Sequence, residues 1–361
     1  MLLQKKNEGL LPGNIAPKVN KLGVMLPYTS LHHLLFSEGL PPLIMTSGNI
    51  SGKPIEYTNE GAIKNIGHVV DYFLLNDREI NTPIDDSVVK VVGDMEIVSR
   101  LGRGYAPYSF NGKLENKILA CGSEMKNTFA FLADGIIYAS QYLGDLKDLG
   151  AYEEYTKAIE NLRSIFEFKP EAVAVDMHPN YMSSIYGKSL NGSKVEVQHH
   201  HAHMTSCMLE HNIFDDVIGV IYDGIGFGTD GKVWGAEFLV GNRKEFKRMA
   251  HFKYTKIQGG DSAQKDIWKI GVSYLKALHD DSLKEKGLER IQSFVKEDIN
   301  NVCTALDYNL NCYETSSVGR LYDAVASILG IREKTTYDAQ AAIELEAVAK
   351  MNVVQSYNYY I

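Results

Sequence analysis

The sequence predicts an α/β protein built from two consecutive domains, and three patterns support this prediction. Short apolar strand-type segments alternate with longer helix-type segments along the 361 residues, a length that allows two or three domains. A segment beginning at residue 117 is repeated in outline about a hundred residues later, with an Asp-Gly turn in each copy. The C-terminal part predicts mostly helices. We expect one domain over 1–110 and a second over 115–361.

The first domain is predicted to contain a short helix and several strands. Leucines spaced three and four residues apart predict the helix near 31–35. Apolar runs at 43–46 and 69–77 predict strands, the first of them buried. The segment 88–100 has two strand-type halves around Gly93–Asp94, which is typical of a hairpin.

The second domain is predicted from a duplicated order of strand, glycine-containing loop, strand, Asp-Gly turn and strand. The turns are Asp134–Gly135 and Asp230–Gly231. Between them a helix (151–168), a buried strand (172–176) and a histidine-rich segment are predicted. Helices are then expected at 263–278, 283–306, 318–329 and 339–350. The duplication favours an actin/sugar-kinase-like fold, in which each lobe presents a hairpin loop to phosphates. Here the second lobe is only begun.

The charge and the cysteines restrict the class of protein. The formal net charge is -8, which argues against a general nucleic-acid binder or membrane-surface binder, since either needs a basic face. No apolar run approaches membrane-spanning length. The four cysteines include no CxxC spacing, and their scatter suits a reducing compartment. We therefore expect a cytoplasmic protein that binds neither nucleic acid nor membrane.

The strongest chemical signal is the segment VQHHHAHMTSCMLEH, in which four of the chain's 11 histidines fall within 199–203. A stripe at helical spacing predicts a helix, and its members are Met204, Cys207 and Met208. His200 and His201 are expected to face elsewhere than His199 and His203, either toward substrate or toward a carboxylate. The alternative is a histidine-rich helix start whose side chains make ordinary hydrogen bonds. Four histidines in five residues favour a ligand pair.

His199 and His203 lie four residues apart, so on a helix they share a face and are able to bind one cation. Two ligands rarely complete a metal site, and a carboxylate should join them. Asp223 and Asp176 are the local candidates. Zinc and iron both suit two imidazoles and a carboxylate.

Two glycine-containing loops and a small polar turn suit anion binding. The stretch DGIGFGTDG (223–231) has four glycines after a strand, and CGSEMKNT (121–128) occupies the matching place in the first copy. The alternative for the glycine-rich stretch is an ordinary hairpin. MTSGNISG (45–52) suits either an anion-binding turn or an Asx-type turn. Arg100 and Arg103 are able to pair with phosphate or to remain solvated.

The stretch TSSVGRLYDAVASILGI predicts a helix with a serine cap, and it places Gly319 and Asp323 on one face. Asp323 suits either the hydroxyls of a ribose or a plain surface position. The pattern alone does not choose between these two roles.

Together these stretches resemble one family, the HypF-type carbamoyltransferases of nickel–iron hydrogenase maturation. The resemblance runs in family order over about residues 15–348. The matching stretches are specific in combination, and they include MTSGNISGKPI, DREINTPIDDSVVKVV, SRLGRGYAP, ACGSEMKNTFAFL, DMHPNYMSS, VQHHHAHMTSCMLEH, DGIGFGTDGKVWGAEFL and TSSVGRLYDAVASILGI. The resemblance implies part of a YrdC-like α/β domain, followed by an incomplete TsaD-like domain of the actin/sugar-kinase-like (ASKHA) fold.

The resemblance implies a reaction at two sites. The YrdC-like domain uses carbamoyl phosphate and ATP with magnesium to make carbamoyl-adenylate. The TsaD-like domain transfers the carbamoyl group to the C-terminal cysteine of a HypE-like acceptor, from which cyanide ligands are made. A buried transfer path would protect the mixed anhydride from water. A divalent metal, zinc or iron, is implied at the HxxxH pair.

The resemblance also assigns roles to single positions. It places the catalytic and metal-binding residues at His199, His203 and Asp223. Its nucleotide-binding positions are Ser47, Asn49, Ser87, Arg100, Gly224, Gly226, Gly319 and Asp323.

The sequence also departs from the family pattern. Complete members begin with an acylphosphatase domain and a CxxC-rich zinc-finger domain, and they end with GGVFQN and NDGG stretches, none of which occurs here. Leu101 and Gly102 replace the usual arginine and serine. We therefore expect a fragment, whose activity alone stays open. The alternatives are an enzyme like the tRNA threonylcarbamoyl transferases, or a non-catalytic module that binds nucleotide or the acceptor.

Overall fold

The computed structural model describes residues 1–6, 12–112 and 114–349. These residues form two compact units. The first joins Met1–Gln4 to Leu22–Val197, and the second joins 5–21 to the stretch that begins at Gln198. Residues 350–361, which the sequence analysis assigns to the second domain, lie outside the described residues.

The first unit combines short strands with four helices. Its strands are β1 (Leu2–Gln4), β2 (Lys21–Gly23), β3 (Val88–Val92), β4 (Met95–Arg100), β5 (Tyr108–Asn111), β6 (Ile118–Ala120), β7 (Ala130–Ala133), β8 (Ile136–Ala139), β9 (Ala172–Asp176) and β10 (Ser193–Val197). Its helices are α1 (Ser30–Ser37), α2 (Asn59–Ile66), α3 (Leu149–Ile165) and α4 (Met182–Ser189). The strands form a four-stranded sheet in the order β2-β1-β3-β4 and a six-stranded sheet in the order β10-β9-β6-β7-β8-β5.

Both hairpins predicted in this unit are confirmed. β3 pairs with β4 in antiparallel register, and the turn between them uses Gly93 at a φ of 61°. β7 pairs with β8 across Asp134 and Gly135, whose φ values of 50° and 75° lie in the left-handed region. Glycine and aspartate tolerate this region better than other residues, which is why such pairs predict tight turns.

The strands predicted at 43–46 and 69–77 are wrong. Both stretches lie outside any sheet among the described residues, and their apolar side chains are largely exposed. Ile44 is 67% exposed and Tyr72 is 92% exposed. A strand needs a neighbour for its backbone hydrogen bonds, and these runs have no ladder partner within the described chain.

The core of the first unit lies between α3 and the six-stranded sheet. α3 begins two residues before its predicted start, because Asp148 caps the helix by accepting hydrogen bonds from the backbone N–H groups of Gly150 and Ala151. Tyr155 and Ile159 on this helix are fully buried against strand residues. The buried strand predicted at 172–176 is confirmed with the same bounds as β9.

The second unit is a five-stranded sheet covered by helices. Its helices are α5 (His199–Glu210), α6 (Trp268–Lys276), α7 (Asp281–Phe294), α8 (Ile299–Asp307), α9 (Val318–Ile328) and α10 (Gln340–Val348). Its strands are β11 (Val217–Phe227), β12 (Val233–Gly241), β13 (Phe246–His251), β14 (Thr255–Gln258) and β15 (Cys312–Thr315). The sheet order is β11-β12-β15-β14, with β13 paired to β12.

The duplicated order of elements is only partly confirmed. The turn at Asp230–Gly231 exists, with Gly231 at a φ of 76°. The glycine-containing loop expected before it does not, since β11 runs unbroken through Gly224 and Gly226 to Phe227. Its register against β12 shifts between Tyr222 and Gly226, which is how the strand accommodates the extra residues.

The C-terminal helices differ from the prediction at two places. The single helix predicted at 283–306 is two helices, α7 and α8, because Asp298 caps a new start by accepting a hydrogen bond from Asn300 N. The helix predicted from 263 begins only at Trp268, after a short 3₁₀ turn over Gly260–Gln264. The strand β15 was not predicted. None of the helices in the described chain is long and apolar enough to cross a membrane.

Candidate metal centre

The histidine segment forms the helix α5, as predicted, and a well-packed helix face supports it. Met204 and Met208 are buried against Ile221 of β11 and Leu239 of β12. Cys207, predicted to share their stripe, is exposed instead. Packing of the two methionines fixes α5 against the sheet, so the helix start is held beside β11.

Two histidines of α5 and one aspartate of β11 converge at this point. The rings of His199 and His203 lie 4.9 Å apart. Asp223 Oδ2 lies 3.4 Å from His199 Nε2. One ligand atom from each of these three residues lies within 4.8 Å of the other two. The arrangement brings together the predicted histidine pair and one of the two candidate carboxylates.

The donor set fits a divalent cation. Two imidazole nitrogens and a carboxylate oxygen are ligands that zinc and iron accept. Asp223 Oδ2 is buried and makes no ordinary hydrogen bond to any described residue. A buried carboxylate oxygen in that condition is unfavourable unless a cation or donor satisfies it. Asp176, the other candidate carboxylate, belongs to the first unit, where its Oδ1 accepts from His178 N.

The electrostatics of the cluster favour cation binding. Burial opposes ionisation of Asp223. The three nearby histidines outweigh this effect, and they hold the pKa of the carboxyl below its usual range: His199, His203 and His200. Burial lowers the pKa of His200 to about 4, although Asp223 opposes the shift. At neutral pH the cluster therefore holds an ionised carboxylate beside a neutral His200.

His200 faces a carboxylate, which is one of the two alternatives predicted for it, and this carboxylate belongs to Asp223. Its Nε2 lies 3.6 Å from Asp223 Oδ2. The physical reason is that β11 passes along α5 closely enough for one carboxylate to reach two successive histidines. His201 does face elsewhere, as predicted, and its Nε2 donates to Asn242 O at 2.8 Å.

Close packing accounts for two of the predicted nucleotide-binding glycines. A Cβ on Gly226 would lie 2.8 Å from His199 Cδ2 and nearer still to His200 Cε1. A Cβ on Gly319 would lie 2.9 Å from the Cα of Gly224, where α9 approaches β11. At Gly224 itself a Cβ would meet only Arg320 Nη2, at 3.9 Å.

The helix α9 begins beside the same strand. Ser317 caps it by accepting a hydrogen bond from Arg320 N, and its hydroxyl donates to Gly224 O at 2.7 Å. Asp323 is only 3% exposed and lies 3.1 Å from Arg320 Nη2, so it is not a plain surface acid.

Asp323 is expected to make the stability of the protein depend on pH. Burial raises its pKa to about 6, although Arg320 opposes the shift. The unfolded chain releases this proton at a lower pH, near about 4. The folded state therefore binds more protons between these values, and the contribution of Asp323 to stability falls as pH rises from about 4 to about 6.

Urea unfolding of the wild type and of Asp323→Asn across this range measures the effect. The difference in unfolding free energy should move in favour of the variant as pH rises, and then become constant above about pH 6. A difference that stays constant over the whole range would contradict this assignment.

The four predicted nucleotide-binding residues of the first unit all contact other residues of that unit. Asn49 Nδ2 donates to Ile50 O and Lys53 O, as in the Asx-type alternative, and Ser47 O accepts from Asn49 N. The Ser87 hydroxyl binds the loop at 102–103, accepting from Gly102 N and donating to Arg103 O. The Arg100 guanidinium lies 4.9 Å from the ring centre of Tyr142.

A buried polar network, which was not predicted from the sequence, lies near the three candidate metal ligands. Glu237 on β12 is fully buried and accepts hydrogen bonds from Gly235 N, Ser316 Oγ and Arg248 Nε. The Arg248 guanidinium in turn lies 3.8 Å from the centre of the Trp234 ring. The only sequence signal was an acid inside the apolar run VWGAEFLV. The network joins β12 and β13 to the start of α9.

Comparison with known proteins identifies the family. A model described as "HypF Kae1-like domain" matches residues 113–210, and "Carbamoyltransferase, Kae1-like Domain, second subdomain" matches 219–361. A Sua5/YciO/YrdC model described as "Telomere recombination" matches 1–102. These matches confirm the α/β class, the YrdC-like domain and the Kae1-like domain. The Kae1-like domain is the one predicted above as TsaD-like.

Individual relatives agree with the family models. The carbamoyltransferase HypF of Synechocystis sp. is 35% identical over 99% of this chain and 48% of its own length. That of Rhodobacter capsulatus is 36% identical over 94% of this chain and 47% of its own. The chain thus spans about half the length of these curated relatives.

Solved structures agree as well. A crystal structure described as full-length HypF in the phosphate- and nucleotide-bound form superposes with a TM-score of 0.91 and 41% identity, over 100% of this chain and 47% of that one. The crystal structure of T. kodakarensis HypF superposes with a TM-score of 0.89 and 34% identity, over 96% of this chain and 47% of that one. The chain therefore belongs to the HypF carbamoyltransferase family.

Proposed function

We propose that the chain takes part in carbamoyl transfer for nickel–iron hydrogenase maturation. In this proposal carbamoyl phosphate, one water molecule and ATP with magnesium yield carbamoyl-adenylate, with release of phosphate and pyrophosphate. The carbamoyl group then passes to the C-terminal cysteine of a HypE-like acceptor. The observation that carries the proposal is the convergence of His199, His203 and Asp223 in a chain matched by carbamoyltransferase models.

The three residues would hold a zinc or iron ion. Bound there, the cation would neutralise phosphate charge and polarise the carbamoyl group of the adenylate. Asp223 Oδ1 accepts from Gly224 N at 2.7 Å, which orients the carboxylate. In the transfer step, the acceptor sulfur bonds to the carbamoyl carbon and the bond from that carbon to the phosphate oxygen breaks. AMP leaves, and the thiol proton passes to solvent.

The nucleotide would bind along β11 and the start of α9. Four of the predicted nucleotide-binding residues lie on these two elements, namely Gly224, Gly226, Gly319 and Asp323. Because Gly319 has no side chain, α9 approaches β11 closely at this point. We assign Ser47, Asn49, Ser87 and Arg100 to the adenylation step in the YrdC-like domain, over 1–110, and the transfer step to the domain over 115–361. The four free cysteines suit a reducing cytoplasm.

The proposal is tested with freshly prepared, radiolabelled carbamoyl-adenylate, which bypasses the adenylation step. We expect the 361-residue chain, loaded with zinc or iron, to label an acceptor that ends in cysteine. His203→Ala should slow the transfer by at least about 100-fold, since a catalytic metal contributes several kcal/mol. An acceptor with its last cysteine changed to alanine is the control. Absence of transfer from the metal-loaded wild type would refute the proposal.

A further inference from the structure

His200 is fully buried beside the three candidate metal ligands, yet it is not one of them. Its two ring nitrogens meet different neighbours. Nδ1 lies 3.2 Å from Gln198 Nε2, and Nε2 lies 3.6 Å from Asp223 Oδ2. The position of its proton therefore decides what the ring offers to the carboxylate.

The orientation of the Gln198 amide is fixed by two backbone groups. Gln198 Oε1 accepts from His201 N at 2.9 Å, as the cap of α5, and Gln198 Nε2 donates to Phe227 O at 3.1 Å. A flipped amide would set a donor against the His201 N–H and an acceptor against the Phe227 carbonyl. The flipped orientation would lose both hydrogen bonds and is excluded.

The tautomer of His200 follows from this orientation. An amide NH₂ group has two hydrogens, and only one is used by Phe227 O. The second hydrogen faces His200 Nδ1, which must accept it and therefore carries no proton. A neutral imidazole has one N–H group, so the proton lies on Nε2, the nitrogen that has Asp223 Oδ2 as its neighbour.

We propose that His200 is a positioning residue that presents its Nε2–H to Asp223 Oδ2, and that Gln198 fixes the tautomer needed for this. The inference rests on the proposed metal-binding role of Asp223. A carboxylate oxygen has two lone pairs, so Oδ2 is able to accept this N–H and still bind a cation. Gly224 N orients Oδ1 by a hydrogen bond, and in this proposal the His200 N–H, 3.6 Å away, orients Oδ2.

The tautomer is tested first, on metal-free protein carrying ¹⁵N-labelled histidine. Long-range ¹H–¹⁵N correlation spectra separate a protonated ring nitrogen from a bare one. We expect His200 to have a bare Nδ1 and a protonated Nε2. In Gln198→Glu, which has no donor, the proton should move to Nδ1. A protonated Nδ1 in the wild type would overturn the inference, whether or not the protein binds metal.

The positioning role is tested with two variants of similar volume. His200→Gln keeps an N–H group at a comparable reach, and His200→Leu has none. By titration with Co²⁺, we expect His200→Gln to remain within about 3-fold of the wild-type affinity and His200→Leu to lose about 10–100-fold. Equal losses in both variants, or no loss in His200→Leu, would contradict the role. A wild type that binds no Co²⁺ would refute the proposed metal centre, while the tautomer measurement would still decide the assignment of Nε2–H.

Discussion

Replacement of both His199 and His203 by alanine should abolish metal retention by the protein. The double variant removes two of the three converging ligands and leaves Asp223 alone. Removal of a hydrogen-bond partner of a metal ligand lowers metal affinity by about 10–100-fold. The loss of affinity in the double variant should be larger than this. Neither histidine belongs to the buried core, and alanine favours a helix, so α5 should remain folded. Elemental analysis after dialysis measures the bound metal, and circular dichroism checks the helix content.

His211→Ala is the matched control for this experiment. His211 lies at the C-terminal end of the same helix and outside the cluster. This variant should retain as much metal as the wild type. If the double variant also retained wild-type metal content, the site would have to lie elsewhere in the protein.

Gly226→Ala should disturb the metal centre without removing any ligand. The new Cβ would lie 2.8 Å from His199 Cδ2 and 2.9 Å from His200 Nε2, closer than real Cβ atoms approach other atoms. The imidazoles or the strand must move, and such overpacking costs about 1–3 kcal/mol of stability. We expect a lower free energy of unfolding by this amount and a clear loss of Co²⁺ affinity.

Gly224→Ala provides a control two residues away on the same strand. Its Cβ would meet only Arg320 Nη2, at an ordinary distance of 3.9 Å. Alanine keeps the backbone N–H that binds Asp223 Oδ1. Metal affinity and stability should stay close to wild type. Equal effects of the two substitutions would show that contact with the histidines does not explain the glycine at 226.

Part of the candidate metal site could be predicted from the sequence, because that part depends on local geometry. The spacing of His199 and His203 places both on one face of any helix, and α5 is a helix. Asp223 was one of two candidate carboxylates, with Asp176, and only the family resemblance chose between them. Which of the predicted alternatives His200 faces could not be decided from the sequence, since it depends on how closely β11 passes along α5.

Elements that depend on partners distant in sequence were predicted less well. The apolar runs at 43–46 and 69–77 have strand-type composition, yet composition does not supply a neighbouring strand. Local signals succeeded where they were sufficient, as at the Gly93 turn. Asp298 is a residue type that favours a helix start, so it indicated the break between α7 and α8. The apolar spacing on either side of it is that of one continuous helix, and the break was therefore not predicted. The buried state of Asp323 required tertiary packing and could not be read from its helix alone.

In the proposed mechanism, a metal held by His199, His203 and Asp223 binds the carbamoyl-adenylate. This is measured by calorimetric titration of a non-hydrolysable carbamoyl-adenylate analogue into metal-loaded protein and into protein stripped by a chelator. We predict at least about tenfold tighter binding to the metal-loaded protein, a difference of about 1.4 kcal/mol or more. Equal affinity for both forms, with loading and stripping verified by elemental analysis, would contradict the claim.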